Sequence, residues 1–284
     1  MQDLVSVIMP VYRTYGPYLE KSIESILNQT HDSLELITII DPDLNDKHHK
    51  DVIAVINDYQ DDKRIRVICN KTRKGFTRSL NRGIVSSKGE FIARMDSDDI
   101  SVKTRLEREL ELLKSSKIHI VGTWAKIVDY EEKMVGVATP PTDSKAIRKI
   151  VMLHNPIIHG SVMIEKDVFR NIGLYSPHFR ANEDYEVWLR AIKAGYLIAN
   201  IPKFLFHLRE NPTSITRGRE WLINRLNYLR SKAFAAVQYG FRSLRDIAFC
   251  ISTITALFTY PRAGPIRSLI ANMQNRISQK HLKM

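Results

Sequence analysis

Short apolar runs alternate with segments of helical periodicity through the first 123 positions, and this alternation constrains the fold more than any other feature. Val5-Ser6-Val7-Ile8-Met9, residues 34–40, residues 64–69, Phe91-Ile92-Ala93-Arg94-Met95 and residues 118–123 each read as a buried strand. Between them, Leu19, Ile23, Ile26 and Leu27 recur at helical spacing. So do Val52, Val55, Ile56 and Tyr59, then Phe76, Leu80 and Ile84, then Leu106, Leu110 and Leu113. A β-α-β-α order of this kind predicts a mostly parallel sheet with helices on both faces. Ligands of such sheets sit beyond the carboxyl ends of the strands.

Three motifs fall at those ends. Pro10 stops the first strand and leads into Val11-Tyr12, Asp41-Pro42-Asp43 follows the second, and Asp96-Ser97-Asp98-Asp99 follows the fourth. In an extended segment alternate residues share one face, which puts the Asp96 and Asp98 carboxylates side by side. Clustered hard oxygen ligands suit Mg²⁺ or Mn²⁺, ions usually shared with substrate phosphates. A solvated acidic turn capping the next helix accounts for the tetrad alone equally well. Three such motifs on one rim favour a ligand site.

The middle of the chain is less regular. Residues 126–129 and 134–138 flank Glu131-Glu132-Lys133 as a hairpin, and Asp143 or Ser144 caps a helix running through residue 153. Residues 161–164 read as a strand, residues 184–194 as a helix ended by Gly195, and residues 209–216 as an exposed loop from which Arg209 reaches toward phosphate. Trp124 and Trp188 read as core. His159, just before a strand, lines the acceptor side, contacts the metal region or is structural.

The 284 residues suffice for one α/β domain, residues 1–218, and an appendage, residues 219–284. The net charge of +12 is uneven: residues 219–284 hold eleven Lys/Arg against two acids, a balance of +9 that leaves +3 for residues 1–218. Such a segment suits an anionic partner, nucleic acid or an anionic membrane face. Within it, residues 221–238 read as helical. Residues 247–260 form an uncharged, mostly apolar run, too short to span a bilayer and bracketed by Arg242, Arg245, Arg262 and Arg267. That pattern fits a helix lying in a membrane interface, or a helical cap on the body. Only two cysteines occur, Cys69 and Cys250, and no basic segment with a long apolar core opens the chain. A reduced, cytoplasmic setting is expected, peripheral on the inner face of the membrane.

Taken in order, several pieces form a pattern: Val5-Ser6-Val7-Ile8-Met9-Pro10-Val11-Tyr12; Ser25-Ile26-Leu27-Asn28-Gln29-Thr30; Leu80-Asn81-Arg82-Gly83-Ile84; Gly89-Glu90-Phe91-Ile92-Ala93-Arg94-Met95-Asp96-Ser97-Asp98-Asp99; and Asn182-Glu183-Asp184-Tyr185-Glu186-Val187-Trp188-Leu189-Arg190. Over residues 4–216 the chain resembles the inverting glycosyltransferase family 2, whose Rossmann-like fold is called GT-A. It is most similar to bacterial enzymes that build O-antigen or capsule repeat units on a lipid carrier. The resemblance implies a nucleotide-sugar donor, with UDP-hexoses such as UDP-Gal or UDP-Glc foremost, a Mn²⁺ or Mg²⁺ cofactor, and a lipid-diphosphate-linked saccharide acceptor. It implies Asp98 as direct metal ligand and Asp96 as ribose contact close to the metal, with His159 added to the metal set. It implies Asp184 as catalytic base beside Glu183. Pro10, Val11, Tyr12, Asp41, Asp43, Arg78 and Ser97 are then expected to contact the nucleotide. Two departures matter. Ile40-Asp41-Pro42-Asp43 stands where the family has Asp-Asp-Gly-Ser, so Asp41 or Asp43 carries base recognition. Arg73-Lys74-Gly75 stands where an Asn usually precedes the next helix; those cations hold a diphosphate or form a solvated turn.

Direct displacement at an anomeric carbon needs a neutralised leaving group, a base on the opposite face and an in-line geometry. Without the pattern, Glu183 and Asp184 read as acids capping a helix. Other classes explain less. A nucleic-acid-binding protein accounts for the basic segment but not for acidic rim motifs, and no nucleic-acid module is present, so no nucleic-acid partner is expected. A non-catalytic membrane scaffold has no use for Asp96, Asp98 and Asp184. A nucleotidyltransferase calls for a Gly-rich basic loop where Pro10-Val11-Tyr12-Arg13 stands.

Overall fold

Val5–Val11 and Leu34–Ile40 are buried at every position, as strands covered on both faces must be. They are β1 and β2 of a sheet that continues with β3 (Ile65–Cys69), β4 (Phe91–Arg94), β5 (Ile100–Ser101), β6 (Ile120–Val128), β7 (Met134–Ala138), β8 (Met163–Glu165) and β9 (Ile198–Arg209). The helices are α1 (Gly16–Leu27), α2 (His49–Asp58), α3 (Phe76–Ser86), α4 (Arg105–Ser115), α5 (Ser144–Ile150), α6 (Lys166–Ile172) and α7 (Glu183–Lys193). The computed structural model describes residues 3–43, 48–151, 154–179 and 182–210. The basic segment 219–284, with its expected helix and apolar run, lies outside the described residues.

The strand order is β3-β2-β1-β4-β8-β6-β9-β5, with β7 paired to β6. The first four strands are parallel, as the alternation predicts. From β8 onward the sheet is mixed: β8 runs antiparallel to both β4 and β6, whereas β9 runs parallel to β6. The mixed half positions the site, because the long strand β9 reaches the tetrad that follows β4: the Arg209 N–H donates to Asp99 Oδ1 at 2.7 Å.

β1 does not stop at Pro10 as expected; it continues to Val11, with Pro10 opposite Ile39. In a parallel ladder one residue's N–H and C=O point to the same side. Ile8 O accepts from Met95 N and Val11 O accepts from Asp41 N, so even positions of β1 face β4. Pro10 therefore turns its missing donor toward ground that β4, ending at Arg94, has already left.

Helices cover both faces. Leu80, Ile147, Phe169 and Trp188 pack α3, α5, α6 and α7 on one side. Leu19, Ile56 and Leu110 pack α1, α2 and α4 on the other. Gly83 lets α3 lie close to the sheet: a Cβ there would fall 2.5 Å from Ile8 and 2.7 Å from Ile39. The residues 126–138 hairpin forms as β6 and β7. Asp143 caps α5 by accepting from the Lys145 and Ala146 N–H groups at 3.0 and 2.9 Å. Residues 159–161 form a 3-10 turn rather than the start of the strand expected over 161–164. Trp188 is core, as expected. Trp124 is only half-buried: its indole donates to Pro140 O at 3.0 Å and its ring rests on Phe204.

Beneath the sheet, α4 buries Arg105 and Glu109 completely, 3.8 Å apart. Arg105 donates to Gly160 O and Arg94 O. Burial pushes the Glu109 carboxyl up to about 8.

The chain passes from β1 outward to β2 and β3, then crosses back to β4 on the other side of β1. The carboxyl ends of β1 and β4 therefore border a crevice, where open α/β sheets bind ligands.

Candidate active site

Two acidic groups face this crevice. The first is the tetrad. It is not extended: residues 97 and 98 form a turn, so Asp96 and Asp98 are not alternate residues of a strand. Three contacts fold it. The Ser97 and Thr14 hydroxyls meet at 2.6 Å, joining the tetrad to the end of β1. Arg209 Nε donates to Asp98 O at 2.8 Å, and Asp99 accepts the Arg209 N–H. Asp99 is the buried member, at 1% exposure, and its Oδ2 has no partner among the described residues. Burial and the neighbouring Asp96 push the Asp98 carboxyl up to about 6.

The second group is Glu183 and Asp184, in the first turn of α7. Asn182 precedes them with φ at +63°. The other non-glycine residues in that left-handed region among the described ones are Arg13, just past β1, and Glu132, on the hairpin. Asn155 Nδ2 donates to Asp184 Oδ2 at 2.5 Å. Glu183 Oε1 lies 4.0 Å from His159 Nδ1, and His159 Nε2 lies 2.9 Å from the Tyr175 hydroxyl. Burial holds His159 well below its usual range, with Arg94 adding to the effect, so the imidazole is neutral. Burial also raises both acids: Asp184 above the ordinary carboxylate range and Glu183, with Asp184 beside it, to about 8.

Between the two groups stands Arg94, the last residue of β4 and 5% exposed. Its Nη1 pairs with Asp96 Oδ2, and its guanidinium lies 5.2 Å from the Phe76 ring centre. Its charge acts on Asp98, Asp99, Glu183 and Asp184 alike. The Phe76 ring lies 6.1 Å from the His159 ring, and His159 lies 4.0 Å from Glu183, so Arg94 and the Glu183 carboxylate flank one pair of rings.

The rim of β1 and β2 adds a third wall. The Tyr12 hydroxyl donates to Asp43 Oδ2 at 3.1 Å, and Arg13 pairs with the same oxygen at 2.7 Å. Arg73 lies 4.7 Å over the Tyr12 ring. Asp41 is buried and accepts from Asn70 Nδ2, Lys74 N and Gly75 N at 2.9, 2.7 and 2.8 Å. It fastens the loop before α3, leaving little acceptor capacity for a ligand. Pro10 and Val11 are buried in β1 beneath Tyr12, whereas Arg78 is exposed in the first turn of α3.

Arg209 corrects the expectation of an exposed loop. It ends β9 with a side chain 1% exposed, and its guanidinium also donates to Asp129 O and Glu132. Residues 211–216 of that expected loop lie outside the described residues. Sequence reasoning also passed over Arg94, Asn155, Thr14 and Tyr175. One signal was available: Arg94 is the single charge inside an apolar strand run. The others act across contacts that local spacing does not encode.

The tetrad offers two carboxylates, Asp96 and Asp98, just past the carboxyl end of β4. One or two carboxylates plus substrate phosphates is the usual way Mg²⁺ is held, so the donor set fits such an ion. Among the described residues no three His, Cys, Asp or Glu side chains close on one point. No described helix is long and apolar enough to cross a membrane.

Comparison with known proteins agrees with the geometry. The model of the family "Glycosyl transferase family 2" matches residues 6–173. The Escherichia coli O-antigen biosynthesis glycosyltransferase WbnJ is 32% identical over 191 residues, 67% of this chain and 72% of that protein. Staphylococcus aureus TarS in complex with UDP-GlcNAc superposes with a TM-score of 0.64 at 15% identity, over 92% of this chain and 74% of that one. A mannosyltransferase from Pyrobaculum calidifontis in complex with GDP-Man and Mn²⁺ gives 0.61 at 15% identity, over 97% of this chain and 80% of that one. At these identities the structural likeness speaks to the fold, which is GT-A.

Proposed function

The chain belongs to glycosyltransferase family 2, and we propose that it transfers a hexose from a UDP-sugar, with inversion, to a hydroxyl of a lipid-diphosphate-linked saccharide in surface-polysaccharide synthesis. The observation that carries this reading is the setting of Asp184: a carboxylate held by Asn155 at the start of α7, beside Glu183. A base on one side and a cation-binding acid cluster on the other is what a direct displacement needs.

Each residue then has a task. Asp98, with Asp96, holds a Mn²⁺ or Mg²⁺ ion that, when bound, neutralises the leaving diphosphate as a Lewis acid. Tyr12 offers a ring to the nucleoside, and Asp41 builds the wall beside it by fixing the loop that ends in Gly75. Asp43 orients Tyr12 and Arg13. Asp184 takes the acceptor proton as the new bond forms, and Asn155 aims its carboxylate. Neutral His159 keeps Glu183 and Tyr175 in register behind it. WbnJ, named for O-antigen synthesis, supports the polysaccharide role; UDP-GlcNAc in TarS and GDP-Man with Mn²⁺ in the mannosyltransferase support a nucleotide-sugar donor and a divalent ion. The acceptor's lipid gives the basic segment 219–284 its purpose, holding the enzyme at the cytoplasmic membrane face.

The test is a screen of UDP-sugars and GDP-mannose with Mn²⁺ or Mg²⁺, using a lipid-diphosphate-linked monosaccharide as acceptor and chromatography of the product. Transfer from a UDP-hexose with inverted anomeric configuration is the expected result. Transfer from GDP-mannose alone overturns the uridine assignment, and transfer with retained configuration overturns the role of Asp184.

A further inference from the structure

Arg94 is a charge where a strand has no need of one. It closes β4 at 5% exposure, and its Nε has no partner among the described residues. The fold makes room for it. A Cβ on Gly160 would stand 3.1 Å from Arg94 Nη1, and the Phe76 ring forms the floor beneath the guanidinium. Asp96 takes Nη1, Asp98 and Asp99 follow on the same turn, and the Phe76 ring leads from the guanidinium to His159, which lies 4.0 Å from Glu183. One buried, permanently charged group thus stands between the tetrad and the start of α7, since a guanidinium does not give up its proton in a protein.

We propose that Arg94 is a positioning residue that acts as a resident counter-ion: it joins the tetrad to the Glu183–Asp184 pair and sets how strongly the acid cluster attracts a divalent cation. This rests on the reading of Asp98 as the cation's ligand. Arg94 occupies Asp96 and repels a second cation, so binding the ion alone is kept weak. The negative diphosphate of a donor offsets that repulsion, and the ion is then held well only together with the nucleotide. The same charge favours the ionised form of Asp184, the form a base must have.

The consequence separates this role from a structural one. A residue that merely supports the fold loosens the site when removed, weakening cation binding and turnover together. Removal of a resident counter-ion strengthens the first and weakens the second. Binding of Mn²⁺ alone, followed by electron paramagnetic resonance of the free ion, is measured for the wild-type full chain, Arg94→Gln and Arg94→Lys, beside melting temperature and kcat. Arg94→Gln is expected to bind Mn²⁺ about tenfold or more tightly, the size of one unit charge acting on a divalent ion at short range, with kcat reduced at least about tenfold. Arg94→Lys keeps the charge, so its Mn²⁺ affinity is expected to stay within about threefold of wild type. If Arg94→Gln does not fold, Arg94→Lys decides: a strong loss of Mn²⁺ affinity there shows that the fork geometry, not the charge, is what the site uses. Weaker Mn²⁺ binding in folded Arg94→Gln overturns the proposal while leaving Asp98 as ligand intact. Wild-type protein that binds no Mn²⁺, with or without UDP, removes both.

Discussion

Arg209 Nε donates to the Asp98 carbonyl at 2.8 Å, tying the end of β9 to the turn that carries the acid cluster. The same guanidinium reaches Asp129 O at 3.1 Å and Glu132 at 3.2 Å, so the β6–β7 hairpin is held by the residue that holds the tetrad. It also lies 4.1 Å over the Tyr18 ring, whose hydroxyl donates to Tyr130 O. Arg209→Met leaves two part-buried carbonyls and a carboxylate short of a donor, at a cost of roughly 1–3 kcal/mol for each group that water does not reach. The melting temperature is expected to fall and kcat to drop about tenfold or more. Arg209→Lys is expected to recover little, because an ammonium cannot satisfy three acceptors in a plane. A wild-type kcat in Arg209→Met removes the coupling between strand and tetrad.

Asp98→Asn keeps the shape of the turn and removes the negative ligand. Turnover is expected to vanish while the melting temperature stays level or rises, since a carboxyl held up to about 6 by burial and by Asp96 is a destabilising neighbour when ionised. Chelator is expected to silence the wild type equally. Turnover that survives both treatments sinks the metal assignment.

General-base help is typically worth about 10²–10⁴-fold. Asp184→Asn is expected to lose kcat in that range with donor binding near normal, measured by single-turnover kinetics and UDP titration. Asn155→Ala removes one charge-assisted bond to that carboxylate and is expected to cost about 10-fold or more. Burial raises the Asp184 carboxyl, so kcat/KM is expected to rise with pH as the free enzyme loses that proton. Should Asp184→Asn turn over normally, Glu183 becomes the base.

The parallel half of the fold was legible because burial on both faces leaves a nearly continuous apolar run, and Val5-Ser6-Val7-Ile8-Met9 is one. The site was legible where chemistry follows directly on such a run, as with Asp96 and Asp98. What escaped was long-range. Arg209 read as loop because Asn211-Pro212 follows it closely, yet it meets Asp99, 110 positions away. The mixed half of the sheet escaped for the same reason: β8 is three residues long, and its place between β4 and β6 depends on partners, not on its own pattern. Asp41 shows a different limit. Its position on the rim was readable, but its use in fixing the loop through Lys74 and Gly75 depends on backbone donors that no side-chain pattern announces.

Glu109 is fully buried beside Arg105, and its folded-state carboxyl titrates at about 8 against an ordinary 4.5. Between those values the folded chain keeps a proton that the unfolded chain releases. Stability from this group is therefore complete below about 4.5 and is lost as pH rises through about 8. Glu109→Gln keeps the volume and removes the proton. It is expected to flatten the decline in melting temperature between those limits, with a gain of up to about 5 kcal/mol at the alkaline end. Thermal melts of both proteins across that range decide the matter; parallel curves mean that Glu109 stays ionised against Arg105.

The segment 219–284 carries a balance of +9, and residues 247–260 form its uncharged apolar run. Attraction to anionic lipid and shallow burial of apolar side chains are the two terms that interfacial binding requires. Each Lys or Arg near an anionic leaflet contributes about 1 kcal/mol, weakened by salt. The full-length protein is therefore expected to sediment with vesicles containing anionic lipid at low salt and to release as salt rises. A chain ending after Gly240 loses the apolar run and seven of the eleven basic residues. It is expected to leave the vesicles yet transfer sugar to a soluble acceptor analogue at the full-length rate. The membrane role is falsified if the full-length protein ignores anionic vesicles at low salt. If the shortened chain instead loses its cooperative melt, the segment is a cap on the catalytic body, and its charges serve some contact other than lipid.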